Sequence, residues 1–322
     1  MTATIRSVAA MLTCIACASS VAAQAPNNQE RADQQELRQQ ERRAAQAQKQ
    51  AQRGGGARGQ IGRGGTAEAS ESFSRTARLA SGGTFELQSG TGDVMITGGG
   101  GRDARIEATK RVRGASDARV RAMLDRITID VTERGGNVEV RTLRQRGPGN
   151  ATVDYTITLP QNVNVILRSA SGNLSVLRMA GDELHMNTLS GNVVVRELKG
   201  RMIDLHTVSG NMLLQDIAAQ HAVLESTAGN LEYAGRLQPS GRYQFLTHRG
   251  DIRVTPFGNP GFDLEAMTFK GNLRSEFVLT MLQRPRAVER QRVQKFLKGK
   301  FGDAGAMVTA SSFSGNIVIV KP

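Results

Sequence analysis

The chain has 322 residues, with 36 Gly, no Trp, 4% aromatics and a formal net charge of +13. So little aromatic bulk and so much Gly exclude a thick globular core and suit many thin, similar layers, and the length allows one or two domains. The positive balance favours anionic partners and decides nothing about fold.

The first predicted element is a secretory signal over residues 1–25. Arg6 supplies the charged start, 8–18 the short apolar run, and Val21-Ala22-Ala23 or Ala23-Gln24-Ala25 a small-residue cleavage site. The run is too short to span a bilayer. The expected location is therefore periplasmic or at the cell surface. The two cysteines, Cys14 and Cys17, both fall in this stretch, so the mature chain would carry no disulfide chemistry. Lipid anchoring at Cys17 is the lesser alternative, because Cys14-Ile15-Ala16 lacks the usual leading Leu.

Residues 26–65 follow, Gln/Arg-rich to 52 and then Gly-rich, with Arg53, Arg58 and Arg63 in the run RGGGARGQIGRGG. A polar helix without an apolar face is marginal in water. The Gly-rich run is a solvated spacer, and export argues against a nucleic-acid partner.

The folded part spans 66–322. Its early portion predicts a strand over 105–112 and a helix over 116–126, capped by Ser116 and lined by Val120, Met123 and Leu124. A hairpin over 127–142 turns at Gly135-Gly136, and a strand over 151–159 stops at Pro160. The expectation is a small helix-and-hairpin insertion that covers the N-terminal end of the fold, because open sheet ends invite pairing.

An internal repeat dominates the remainder. Turn glycines stand at Gly172, Gly191, Gly210 and Gly229, 19 residues apart, then at Gly250 and Gly271, 21 apart, with outlying copies at Gly92 and Gly315. The next residue is Asp93, Asn173, Asn192, Asn211, Asn230, Asp251, Asn272 or Asn316. These types tolerate the left-handed backbone of a tight turn. One position later all eight copies are apolar, from Val94 to Ile317, and two positions after that seven of eight are, Ser275 being the exception. Three residues before the glycine every copy has Ser or Thr. Alternation on both sides of the turn marks strands with one buried face. The fold predicted is all-β: a parallel β-solenoid of about 19–21-residue rungs, two short strands each, whose stacking closes a core that no single unit could close.

Chemistry is sparse. His185, His206, His221 and His248 lie in the outward phase of four different repeats, where a metal's converging ligands are not expected. Calcium wants several charged oxygens, but six of the eight turn positions are neutral Asn. A ladder of Asn side chains bonding along the stack is the better reading. The Ser/Thr column has no base beside it and is expected to satisfy backbone groups. No pair of carboxylates stands out for sugar cleavage. The expectation is therefore no catalytic residues, no cofactor and no metal. One basic stretch, 284–302, is expected to form a loop or helix with Val293, Phe296 and Leu297 inward. Its Arg284, Arg286, Arg290, Arg292, Lys295, Lys298 and Lys300 would touch an anionic surface.

Repeated Ser-Gly-Asn turns each followed by apolar-x-apolar, the Leu159-Pro160 step, and the run SSFSGNIVIV over 311–320 resemble the bacterial adhesin-like family designated domain of unknown function (DUF) family 4097. The resemblance covers about residues 73–322. It implies a β-solenoid, envelope association and an adhesive role, and brings no catalytic residues. The expected function is a binding or scaffolding module that meets an envelope glycan, an anionic lipid surface or another envelope protein. A carbohydrate-active enzyme on the same scaffold and an envelope-stress sensor are the alternatives.

Overall fold

The computed structural model describes residues 67–144, 150–258, 261–281, 295–303 and 305–322. The expectations for 1–25 and 26–65 lie outside the described residues. The chain divides into two units, 1–63 and 64–322, and everything described belongs to the second.

The fold is all-β with one short helix and a nearly closed, mixed sheet. In chain order the strands are β1 (Ala67–Arg78), β2 (Thr84–Thr91), β3 (Val94–Gly99) and β4 (Asp103–Gly114). After helix α1 (Asp117–Leu124) come β5 (Ile127–Arg134), β6 (Asn137–Arg144), β7 (Asn150–Pro160), β8 (Asn164–Ser171), β9 (Leu174–Met179) and β10 (Glu183–Ser190). The long strands β11 (Val193–Ser209), β12 (Met212–Ala228) and β13 (Leu231–Arg249) follow. The last are β14 (Ile252–Phe257), β15 (Phe262–Lys270), β16 (Leu273–Ser275), β17 (Thr280–Met281), β18 (Lys295–Phe301), β19 (Ala306–Ser314) and β20 (Ile317–Ile319).

Two ladders run side by side. The first pairs β6, β2, β8, β10, the second half of β11, the second half of β12, the second half of β13, β19 and β15, every step parallel. The second pairs β7, β3, β9, the first halves of β11, β12 and β13, then β14, β20 and β16, also parallel. Partners between β10 and β11 or β11 and β12 lie 19 residues apart, as in Leu205↔Leu224. Because β11, β12 and β13 run through both ladders, the twenty strands form one connected sheet.

The turn between the two ladders explains its own sequence. A Cβ on Gly210 would lie 2.0 Å from the carbonyl oxygen of Gly191, and φ of Gly210 is +149°. Gly172, Gly191 and Gly250 show the same close approach at 2.0 Å. Neighbouring rows touch there through bare backbone, which only glycine allows. The next residue binds the rows together. Oδ1 of Asp93 accepts the N–H of Asn173 at 2.8 Å, and Asn192 and Asn211 accept the N–H of the next row's Asn at 3.0 and 2.9 Å. The expected Asn ladder is present. Seven of the eight Ser/Thr residues in the column are buried, and the expectation that they satisfy backbone groups holds only in part. Thr247 bonds the Gly229 carbonyl at 3.1 Å, Ser312 that of Gly250 at 3.0 Å and Thr268 that of Gly315 at 2.8 Å, while the hydroxyls of Ser89, Thr207 and Ser226 have no partner among the described residues.

The core lies between the two ladders, where the inward columns meet. Three of its buried aromatics come together from the single strand β13. Tyr233, Tyr243 and Phe245 pack at centroid distances of 5.3–5.8 Å, with Ala222 and Ala310 as small neighbours in register. Burial pushes the Tyr243 hydroxyl up in pKa, and it stays in place by donating to the Ala219 carbonyl at 2.6 Å and accepting the Gln238 N–H at 2.7 Å.

Three expectations need correction. The rows do not follow chain order: the Gly315 row sits between the Gly250 and Gly271 rows, since β19 pairs with both β13 and β15, and β20 with both β14 and β16. The segment before Gly172 is more than an insertion, because β6 and β7 add a row of their own beyond β2 and β3. Helix α1 does form, with Val120 and Leu124 buried, but Ser116 makes no side-chain cap bond. Third, the basic stretch is not helical where it is described. Residues 295–301 are strand β18, antiparallel to β15. The run Lys-Phe-Leu-Lys-Gly-Lys-Phe places Leu297, Gly299 and Phe301 at period two, and Leu297 and Phe301 pack against the core. A cluster of Phe262, Phe277 and Phe301, centroids 4.8–5.5 Å apart, fills the place the helix was expected to cover.

Candidate binding face

The outward side of the first ladder carries a column that breaks the alternation. Two residues before six of the eight turn glycines, where polar side chains are expected, stand Leu189, Val208, Thr227, His248, Phe313 and Phe269, in spatial order, and Gly90 and Ala170 hold the position in the two remaining copies. Leu189 is 59% exposed, Val208 49% and Phe313 43%. Parallel register stacks like positions on one another. The rings of His248 and Phe313 accordingly lie face to face, 4.8 Å apart and 10° from parallel, and Phe313 and Phe269 follow at 5.0 Å and 6°. This stack exists because the Gly315 row lies between the other two.

Beside the column runs an open groove of about 680 Å³, lined among others by Asn187, His206, Glu225, Leu246 and Met267. At one end the polar residues connect. His206 Nε2 lies 2.8 Å from Asp204 and its Nδ1 3.1 Å from Glu225, while His185 Nδ1 approaches the same Asp204 at 3.4 Å. The expectation of four scattered histidines therefore holds only for His221 and His248. His185 and His206 converge because one row's outward position sits diagonally beside the next row's. Among the described residues no group of three or more His, Cys, Asp or Glu side chains is arranged to hold a metal ion.

A second groove, about 630 Å³, lies along the other corner with Arg178, Lys199, Arg236, Glu197 and Asp216. Arg178, Glu197 and Asp216, 19 residues apart, all have φ of 54–55°. Left-handed backbone at one non-glycine residue in each of three successive rows builds the corner as a repeated bend.

Of the basic residues expected to meet an anionic surface, three are described. The Lys295 ammonium donates to Asn272 Oδ1 at 2.7 Å and so ends the Asn ladder. Lys298 lies 3.5 Å from Glu265, and Lys300 stands opposite Asp263 on β15. Arg284, Arg286, Arg290 and Arg292 lie outside the described residues. The apolar outward column is what sequence reasoning missed. Its signal was present in Leu189, Val208, Phe269 and Phe313, all at an even offset from a turn glycine. Among the described residues no helix is long and apolar enough to cross a membrane.

The family model described as Toastrack DUF4097 matches residues 83–238 and, overlapping them, 124–320. Solved structures similar to this chain include a candidate cell adhesion protein from Clostridium sporogenes, 12% identical, covering 79% of this chain and 100% of that one at a TM-score of 0.40. A candidate adhesin from Bacteroides fragilis is 13% identical over 78% of this chain and 97% of its own, TM-score 0.40. Another, from Parabacteroides merdae, is 13% identical over 78% and 96%, TM-score 0.35. No curated protein matches the chain.

Proposed function

The chain belongs to the Toastrack DUF4097 family, and from that premise we propose that it is an exported, non-catalytic binding module of the cell envelope. The parallel rows are the coils of a solenoid, and the outer face of its first ladder is the recognition surface. One observation carries this reading: the exposed column from Leu189 to Phe269, ending in the His248–Phe313–Phe269 stack beside a long open groove. Exposed apolar stripes rimmed by polar groups mark contact surfaces, and faces built of stacked repeats suit elongated partners. An envelope glycan fits such a groove, with His206, Glu225 and Asn187 to bond its hydroxyls. The signal-like start, with Arg6 and the small residues up to Ala25, supports export.

The test is co-sedimentation of the purified chain with cell-wall sacculi and, separately, with anionic vesicles across a salt series. Binding to sacculi is expected to weaken roughly tenfold or more in Phe269→Ser/Phe313→Ser, because buried aromatic anchors dominate contact energies. The thermal midpoint should barely move, since both residues are exposed. A second variant replaces Arg284, Arg286, Arg290 and Arg292 with Gln and leaves strand β18 intact. It separates the basic segment from the face: binding to vesicles that falls with salt and disappears in this variant assigns the contact to an anionic surface. Sacculus binding that is indifferent to the Phe substitutions overturns the reading.

A further inference from the structure

Strand β1 is the longest edge in the described fold. Over 12 residues it pairs with β4 alone among the described residues, and eight of its residues are exposed. Arg78 donates its N–H to Glu133 at 3.1 Å, and Ala80 donates to the Gly136 carbonyl at 2.9 Å, so these even-numbered groups face away from β4. Strand alternation then turns the N–H and C=O of Glu68, Ser70, Ser72, Ser74 and Thr76 to the same side, which Glu133 and Gly136 close at the Arg78 end and which is open among the described residues along 68–76. An edge of this length is a template for another strand.

The sequence of β1 selects its own copy as that strand. We propose that β1 pairs edge to edge, antiparallel, with β1 of a second copy of this chain, about a two-fold axis at Phe73. In that register Phe73 faces Phe73. Glu71 faces Arg75, Ala69 faces Ala77, and Glu68 faces Arg78, each pair occurring twice by symmetry. Every acid of the strand then meets a base, and opposed residues share a face because their numbers have equal parity. Slipping the pairing by one residue at the axis destroys the match. Centring on Ser72 sets Glu71 against Phe73, and centring on Ser74 sets Phe73 against Arg75. Centring on Glu71 or Arg75 puts like charges together. The residues concerned keep capacity for the second copy. Glu68 and Glu71 are bonded to Arg113 and Lys110 at 3.1 and 3.0 Å but remain about half exposed, Arg75 reaches Glu133 only at 3.9 Å, and the exposed bond from the Arg78 N–H to Glu133 is the one that gives way to the second copy. The result is a symmetric, self-complementary contact that continues the sheet from one copy into the other. It does not rest on the outer-face reading.

Sedimentation equilibrium of the full chain tests this. The unmodified chain is expected to be a concentration-dependent dimer. Ser72→Pro removes an N–H that faces open solvent in the monomer, and it should leave a folded monomer. Glu68→Arg alone and Arg78→Glu alone should each weaken the dimer, on the order of tenfold. Glu68→Arg/Arg78→Glu, which restores the opposite pairing across the axis, should recover it. A loss of folding in Ser72→Pro would leave the charge exchange to decide. A strictly monomeric unmodified chain, a Ser72→Pro chain that folds and still dimerises, or a double exchange no tighter than the single ones overturns the proposal.

Discussion

Replacing Gly210 with Ala is expected to lower the unfolding free energy by about 4 kcal/mol, the sum of a left-handed backbone cost and overpacking against a rigid neighbour. The added Cβ would lie 2.0 Å from the Gly191 carbonyl oxygen and 2.6 Å from its carbon. Neither atom belongs to a flexible side chain. The row must therefore move away, and the Asn192–Asn211 bond at 3.0 Å is lost with it. Gly90→Ala is the matched control. Nothing lies within 4 Å of a Cβ there, so the change should stay within about 0.5 kcal/mol. Urea titration followed by circular dichroism measures both. Equal effects at the two positions would mean that the glycine column is a matter of composition and not of contact.

Truncating Phe245 to Ala should cost a similar amount, about 4 kcal/mol. Its side chain is 1% exposed, it packs on the Tyr233 ring at 5.3 Å, and its in-register neighbours are Leu224 and Ala310. Ala310 carries only a methyl group, too short to reach into the space, so the cavity stays open. Phe313→Ala tests the same residue type one row away. Its side chain is 43% exposed, so its loss should change stability by no more than about 0.5 kcal/mol. The pair separates the face that holds the protein together from the face offered to a partner.

The turns were legible because each is dictated by a contact that repeats. The glycine has no room for a Cβ, and the Asn or Asp after it bonds the next row, so both columns stay nearly invariant within the chain. Row order was not legible. A parallel row can add to either neighbour of matching shape, and no residue in 306–319 announces that it will enter between Gly250 and Gly271. The row made by β6 and β7 was hidden for a different reason. It carries no Ser-Gly-Asn turn, and the ladder starts instead from Asp154, whose Oδ1 accepts the Asp93 N–H at 3.0 Å. The misreading of 295–301 as helical came from Val293, Phe296 and Leu297, whose spacing fits a helix. The competing period-two set, Leu297, Gly299 and Phe301, won because β15 offered an open edge to pair with. The binding face was half visible. Its apolar residues could be read from the columns, but the Phe269–Phe313–His248 stack depends on the row order, which only the fold supplies.

Row order is thus the claim on which the face rests, and cysteine cross-linking tests it most directly. Both native cysteines, Cys14 and Cys17, lie outside the described residues, so both are replaced by Ser to give a cysteine-free background. Arg253 and Val318 are direct partners across β14 and β20, and Arg274 lies one strand further on. Adjacent strands are about 4.8 Å apart, within disulfide reach, and strands two apart are not. The prediction is that Arg253→Cys/Val318→Cys oxidises to an intramolecular disulfide in the folded chain while Arg253→Cys/Arg274→Cys does not. A disulfide between 253 and 274, with none between 253 and 318, would mean that the rows follow chain order, and it would remove the aromatic stack and the binding face built on it.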